Sequence, residues 1–261
     1  MVFAAADQQG ADLSAVSLIN GGGTSPVLIV CEHASNAIPE SFSGLGLTDD
    51  VRQSHIAWDP GADAVAAELS RLMDSTYVRG EVSRLVYDCN RPPEAHDAMP
   101  ARSEIFDVPG NQNLTEEDKA RRVASVYRPF EACLSEAAKR AGALVTIHSF
   151  TPIYHGQQRA VQLGILHDDD SRLADLMLDD ASAHTDLEVR RNDPYGPLSG
   201  VTHTLKEHGL ANGIPNVMIE VRNDLITTPG DCAAMADCLH RMLIPALDQL
   251  GIETNGGEKS A

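Results

Sequence analysis

Basic residues are scarce in this chain: 20 Lys and Arg stand against 38 Asp and Glu, for a net charge of −18. Nucleic acid and anionic membranes both call for a basic footprint, so neither is expected as a partner. An anionic ligand would instead need a local cluster of arginines. No stretch approaches the roughly 18 to 20 consecutive apolar residues of a membrane-spanning helix. No basic segment followed by an apolar run opens the chain, so no secretory leader is expected. Cys31, Cys89, Cys133, Cys232 and Cys238 are odd in number and form no C-x-x-C pair. That argues against a disulfide framework and against structural zinc held by sulfur, and favours reduced, buried thiols in a cytoplasmic protein. Gly-x-Ser-x-Gly is missing, and Ser149 merely adjoins His148 in sequence, so a serine hydrolase is disfavoured. The glycines at Gly21-Gly22-Gly23 precede a strand rather than follow one, and no Gly-Lys-Ser/Thr comes after them, which rules out a phosphate loop.

What is present is a Val-, Leu-, Ile- and Ala-based chain with 43% hydrophobic and only 4% aromatic residues, suited to an α/β core. Val27–Cys31 is an apolar run that reads as a strand buried on both faces, and it leads directly to His33. Leu144–Phe150 is a second such strand and contains His148. Val161–His167 and Asn216–Arg222 are two more, the latter carrying Glu220 between apolar neighbours. Short strands are expected at 76–78, 84–87 and 187–190. Asp59-Pro60 reads as an N-cap with proline in the first turn of a helix to about Met73. Thr115 opens a long helix through a capping box with Asp118, and Pro129 should kink it. Helices are also expected over 170–183, 201–208 and 229–250. Residues 94–113 are irregular and should lie over the site. Alternating strands and helices favour one three-layer α/β/α domain with a mixed, largely parallel sheet over residues 25–250, preceded by a flexible arm (1–24) and followed by a frayed tail (251–261).

His33, His148 and Glu220 share a setting: each sits at or near the end of an apolar strand, where open α/β sheets carry their functional groups. A catalytic metal needs about three protein ligands and an open position, and a carboxylate off the metal can serve as base for water. A carboxylate inside Val217-Met218-Ile219-Glu220-Val221 needs a partner, or its pKa rises.

Six motifs in order resemble the N-formylglutamate amidohydrolase family, itself related to zinc carboxypeptidases and aspartoacylase-type deacylases. They are His33-Ala34-Ser35, Ser83-Arg84-x-Val86-x-Asp88-x-Asn90-Arg91, His148-Ser149, Asn192-x-Pro194-Tyr195, Gly200-Val201-Thr202 and Ile219-Glu220-x-x-x-Asp224-Leu225. The resemblance implies a zinc-exopeptidase-like fold and a metal-dependent amidohydrolase, with zinc, or another divalent metal, held by His33 and His148. It also implies a small acidic N-acyl amino acid as substrate, N-formyl-L-glutamate giving formate and L-glutamate. For the third ligand, Asp59 is preferred over Glu32 and Asn36; carboxypeptidase-like enzymes place a glutamate where this chain has Asn36. Glu220 matches the general base and Arg84 an oxyanion stabiliser. Arg91, Asn90, Arg159, Tyr195 and Thr202 are expected to bind substrate. Asp88 is expected to hold the arginines and their loop. The alternatives are a zinc deacylase or carboxypeptidase acting on another N-acyl amino acid or short peptide, and a non-catalytic binding protein on the same scaffold. The Cys31-Glu32-His33-Ala34-Ser35-Asn36 turn departs from the family's usual Pro-His-Ser/Ala-Gly form.

Overall fold

The computed structural model describes residues 14–254. Seven segments form its main sheet: Val16–Ile19 (β1), Val27–Cys31 (β2), Thr76–Gly80 (β3), Ala143–Phe150 (β4), Leu163–Leu166 (β5), Val189–Arg191 (β6) and Asn216–Arg222 (β7). Their spatial order is β1-β3-β2-β4-β7-β5-β6. The central four, β3, β2, β4 and β7, run parallel. β1 and β5 are antiparallel to their inner neighbours, and β6 runs with β5. This is the expected mixed, largely parallel sheet.

Alternation along the strands gives the sheet two apolar faces. Ile29, Val145, Ile147, Val217 and Ile219 pack against helix Ala62–Met73 (α1) and helix Pro229–Gln249 (α5). Leu28, Val30, Leu144 and Met218 pack against Val126, Tyr127, Phe130 and Leu134. Those four come from a helical run comprising Glu116–Arg122 (α2), a π-helical turn at Val123–Tyr127 and Arg128–Ala138 (α3). Helix Arg172–Asp179 (α4) completes the first layer. Apolar burial of this kind is the main favourable term in folding, about 25 cal/mol per Å² removed from water.

Both capping boxes use aspartate. Thr115 and Asp118 exchange hydrogen bonds at the start of α2, and Thr228 and Asp231 do so at α5. The disturbance expected at Pro129 takes the form of the preceding π turn. Proline lacks an N–H and crowds the carbonyl four residues back, and a widened turn accommodates both.

Several expectations shift. Residues 16–19 are no loose arm, because they pair antiparallel with β3; the arm at 1–13 lies outside the described residues. The tail is still packed at Ile252, whose N–H donates to the Leu247 carbonyl at 3.0 Å; residues 255–261 lie outside the described residues. The strand expected at 84–87 is a series of turns, since the Ser83 and Arg84 N–H groups donate to the Ala37 and Ala57 carbonyls rather than to a ladder. The helix expected over 201–208 begins at His203 and runs through a π turn, Leu205–Gly209.

Asp59 is not a helix cap. Gly61, at φ 83°, takes that position, and α1 starts at Ala62. A left-handed residue there suits glycine, and a Cβ would stand 2.5 Å from the Ile226 carbonyl oxygen. The reversal between Asp59 and α1 frees the Asp59 side chain to face the sheet edge.

Candidate active site

Because β2, β4 and β7 are adjacent and parallel, their carboxyl ends meet on one edge. The register places Glu220 directly beside His148. Extending the β2–β4 register from Val30 opposite Thr146 by two residues brings Glu32 level with His148 on its other side. Glu32, His148 and Glu220 thus form a row across three strands, on the face that carries Leu28 and Val30 lower down. All three are buried, at 3% exposure or less. His33 follows β2 in a turn and is equally buried.

Asp59 joins the two histidines. Its Oδ2 lies 3.3 Å from His33 Nδ1 and 3.0 Å from His148 Nδ1. The two imidazole rings are 5.0 Å apart and set edge to face. Each histidine's outer nitrogen meets a carboxylate: His33 Nε2 is 2.6 Å from Asp88 Oδ1, and His148 Nε2 is 3.0 Å from Glu32 Oε2. The Glu32 contact is ionic rather than an aligned hydrogen bond, and both Glu32 oxygens lack an aligned donor. Arg84 spans the outer oxygens of the other two acids, donating to Asp59 Oδ1 at 3.1 Å and Asp88 Oδ2 at 3.2 Å. The Ser149 N–H donates to Asp59 Oδ2, and its hydroxyl to the Pro60 carbonyl.

This arrangement fits a metal cation. With a cation in place of the protons that Asp59 otherwise shares, the carboxylates on both outer nitrogens would keep those nitrogens protonated and leave the Nδ1 lone pairs facing inward. Two lone pairs and a carboxylate oxygen then face one another within 4.8 Å, a set of acceptors that calls for a positive charge among them. The same need shows in the titration of the site. Burial favours neutral imidazole, but Glu32 and Asp59 more than offset it and hold His148 well above its ordinary pKa. Burial and Arg84 oppose protonation of His33, yet Asp88 and Asp59 raise its pKa. Burial disfavours the charged forms of Asp88 and Asp59, but the histidines and Arg84 hold both below the usual carboxylate range. Glu220 differs. Burial dominates, with His148 opposing and Asp59 adding repulsion, and its pKa rises to about 7.

A cavity of about 610 Å³ opens over the cluster, lined by His33, Asp59, His148 and Glu220 and by Arg84, Arg91 and Arg159. Three arginines around one hollow, beside the carboxylates of Asp59, Asp193 and Glu220, supply donors that an anionic ligand needs in so acidic a protein. Arg159 donates to the Thr151 carbonyl and the Tyr195 hydroxyl, and its guanidinium lies 4.5 Å from the Tyr154 ring centre. Burial and the nearby Glu220 raise the Tyr195 pKa to about 12, so the phenol keeps its proton. Arg91 is partly committed: Nε binds Asp97, and Nη1 donates to the Asn90 and Gly200 carbonyls. Asn90 pins the far wall, donating to the Val201 carbonyl at 2.6 Å and accepting from the Thr204 N–H at 3.0 Å.

Most of the expected site residues therefore meet around one cavity. Thr202 does not: it is buried, and its hydroxyl donates to Asp168. Among the alternatives for the third ligand, Asn36 donates to the Arg52 carbonyl, and Glu32 faces the outer side of His148. Asp88 was expected only to hold the arginines and their loop, whereas it also contacts His33. The pairing of Glu32 with His148 had no signal in the sequence, because it depends on strand register. Gly164 also escaped notice. It lies opposite Glu220 on β5, and a Cβ there would stand 2.3 Å from the Asp193 carbonyl oxygen in the loop that carries Tyr195.

The sheet, the strand-end cluster and the arginine-lined hollow define an α/β protein whose site can hold a metal. The family model described as N-formylglutamate amidohydrolase matches residues 25–227, and the chain belongs to that family of amidohydrolases. Among solved structures it is similar to a gene product from Agrobacterium tumefaciens, at 52% identity and TM-score 0.88, over 91% of this chain and 96% of that one. It shares its fold with N-formylglutamate amidohydrolase from Ralstonia eutropha JMP134, at 19% identity and TM-score 0.64, over 91% and 98% of the two chains. No curated protein sequence matches it. No helix among the described residues is long and apolar enough to cross a membrane.

Proposed function

We propose that the protein is a metal-dependent, cytoplasmic amidohydrolase that cleaves the N-acyl amide of an acidic amino acid, with N-formyl-L-glutamate as the reference substrate. The observation that carries this reading is the convergence of His33 Nδ1, Asp59 Oδ2 and His148 Nδ1 beside a buried Glu220, under a hollow lined by three arginines. Membership of the family supports it. His33, Asp59 and His148 would hold the metal, with zinc the ion best suited to two imidazoles and a carboxylate. A bound divalent cation would supply Lewis acidity, acidifying water and polarising the amide carbonyl.

The protein's own groups do the rest. Glu220, whose carboxyl burial pushes above the ordinary range, would take a proton from the attacking water and return it to the leaving nitrogen. Arg84 keeps its charge because Asp88 and Asp59 outweigh the cost of its burial. Its part-exposed guanidinium borders the cavity and would donate to the developing oxyanion. Arg159 and the free edge of Arg91 would hold the carboxylates of the amino acid, with Asn90 and Tyr195 closing the sides. Because the chain is strongly acidic elsewhere, this cavity is where a dianionic substrate would gather.

The test is metal content measured together with hydrolysis of N-formyl-L-glutamate, for the native chain and for Glu220→Gln. The variant should keep its metal and lose about 10² to 10⁴ in kcat, the range for general acid–base catalysis. Full activity in the variant, or chelator-insensitive activity in the native protein, would overturn the assignment.

A further inference from the structure

The reacting centre opens on two sides. A second cavity, of about 330 Å³, adjoins the first and shares with it Asp59, Arg84, Arg91, Ser149, Tyr154 and Tyr195. Its own walls include His55, Asp97, Arg102, Ser103, Glu104 and Thr151. The reading above fixes which side is which. Glu220 must reach the leaving nitrogen, and Glu220, Asn90 and Arg159 line only the larger cavity. The amino acid therefore occupies the larger cavity, and the acyl group points past Arg84 into the smaller one.

We infer that the smaller cavity is an acyl subsite, and that the protein accepts a polar N-acyl group longer than formyl. The inference rests on the amidohydrolase reading and adds the class of acyl donor to it. Formyl has two heavy atoms and needs about twice the roughly 30 Å³ share of a liquid water molecule, so it leaves most of this space unused. Beside Ile56, Leu85, Pro100 and Phe150 the walls are mostly polar, which favours polar over alkyl groups. His55 pairs with Glu104 at 2.8 Å, Asp97 with Arg91 at 2.9 Å, and Arg102 with Asp107 at 3.1 Å and the Glu104 carbonyl at 3.2 Å. With these groups paired, the cavity presents hydrogen-bonding edges. An alkyl chain would strip water from these groups without replacing their hydrogen bonds. A carboxyacyl or an aminoacyl group would replace them, the first towards Arg102 and His55, the second towards Glu104 and Asp97.

The experiment is a kcat/KM panel on the metal-loaded protein, with N-formyl-, N-butyryl-, N-succinyl- and N-glycyl-L-glutamate. At least one of the succinyl and glycyl compounds should match or exceed formyl and exceed butyryl by about tenfold or more, the scale on which single pocket contacts discriminate. The better of the two tells whether the cationic or the anionic wall dominates. Ser103→Trp, which fills the cavity, should lower the ratio of that polar substrate to formyl by about tenfold or more. Formyl preferred over every longer acyl group, butyryl equal to the polar compounds, or an unchanged ratio in Ser103→Trp would each overturn the subsite and leave the amidohydrolase reading standing. Hydrolysis of none of the four would overturn both.

Discussion

Replacing Glu32 by glutamine should weaken metal binding without unfolding the protein. The carboxylate lies 3.0 Å from His148 Nε2, with both groups almost fully buried. Burial alone would raise the Glu32 pKa, but His148 outweighs it, so the side chain is charged where charge is costly. Such a carboxylate strengthens its histidine as a ligand by fixing the tautomer and feeding electron density to the ring. Losing an outer partner of this kind costs about 10- to 100-fold in metal affinity. At about 1.4 kcal/mol per factor of ten, that is about 1.4 to 2.8 kcal/mol. Glutamine has nearly the same shape and keeps an oxygen beside Nε2, so it removes the charge alone; alanine removes the contact as well. Glu32→Gln should therefore lose about tenfold and Glu32→Ala about a hundredfold. Competition with a chromophoric chelator gives the affinity, and circular dichroism checks the fold. Native affinity in Glu32→Ala with the fold intact would refute the reasoning and make Glu32 a spectator.

Three further outcomes are expected. Glu220 must be deprotonated to act as base, and its pKa is raised to about 7, so kcat/KM should fall as pH drops through that region. A bound cation would shift this acid limb lower, never higher, and a limb that survives unchanged in the residual activity of Glu220→Gln would contradict the role. Gly164→Ala would push a methyl towards the Asp193 carbonyl and displace the Tyr195 loop. Activity should fall about ten- to a hundredfold by misplacement, with metal affinity kept, and unchanged kinetics would show the loop to be dispensable. Arg122 is buried and donates to the carbonyls of Val86 and Gly110 and to Asn111 Oδ1, which ties down the segment that carries Arg84 and Asp88. Arg122→Ala should cost about 3 kcal/mol by denaturant titration, because it strands buried acceptors; a loss below about 1 kcal/mol would mean that water replaces it.

The strand-end groups were legible because an apolar run that stops at a histidine or contains a glutamate is unusual, and parallel topology sends such ends to one edge. Asp59 was singled out by resemblance, while local reading made it a helix cap; Gly61 takes the cap instead. Local propensity misled at 84–87, where Leu85, Val86 and Tyr87 look strand-like but find no ladder. It failed at 16–19 for the opposite reason, since that strand exists only because β3 offers an edge some 60 residues later. The contacts that tune the cluster were out of reach. His33 and Asp88 are 55 residues apart, and Glu32 meets His148 only through register. Thr202 fitted a motif, but its hydroxyl had a buried partner, Asp168, that no pattern around it announces.

The row of Glu32, His148 and Glu220 has a consequence for how such a protein can change. His148 and Glu220 are spaced by backbone hydrogen bonds between neighbouring strands and Glu32 directly follows a third, so their separation is set by the sheet and is hard to alter piecemeal. Many of the groups lining the two cavities sit on loops around residues 94–113, 153–159 and 192–201 that carry none of that spacing. Reactivity and selectivity are therefore inherited through different parts of the chain. Loop exchange between family members should transplant a substrate preference while leaving the machinery beneath it in place. That makes this scaffold a practical starting point for building new deacylases.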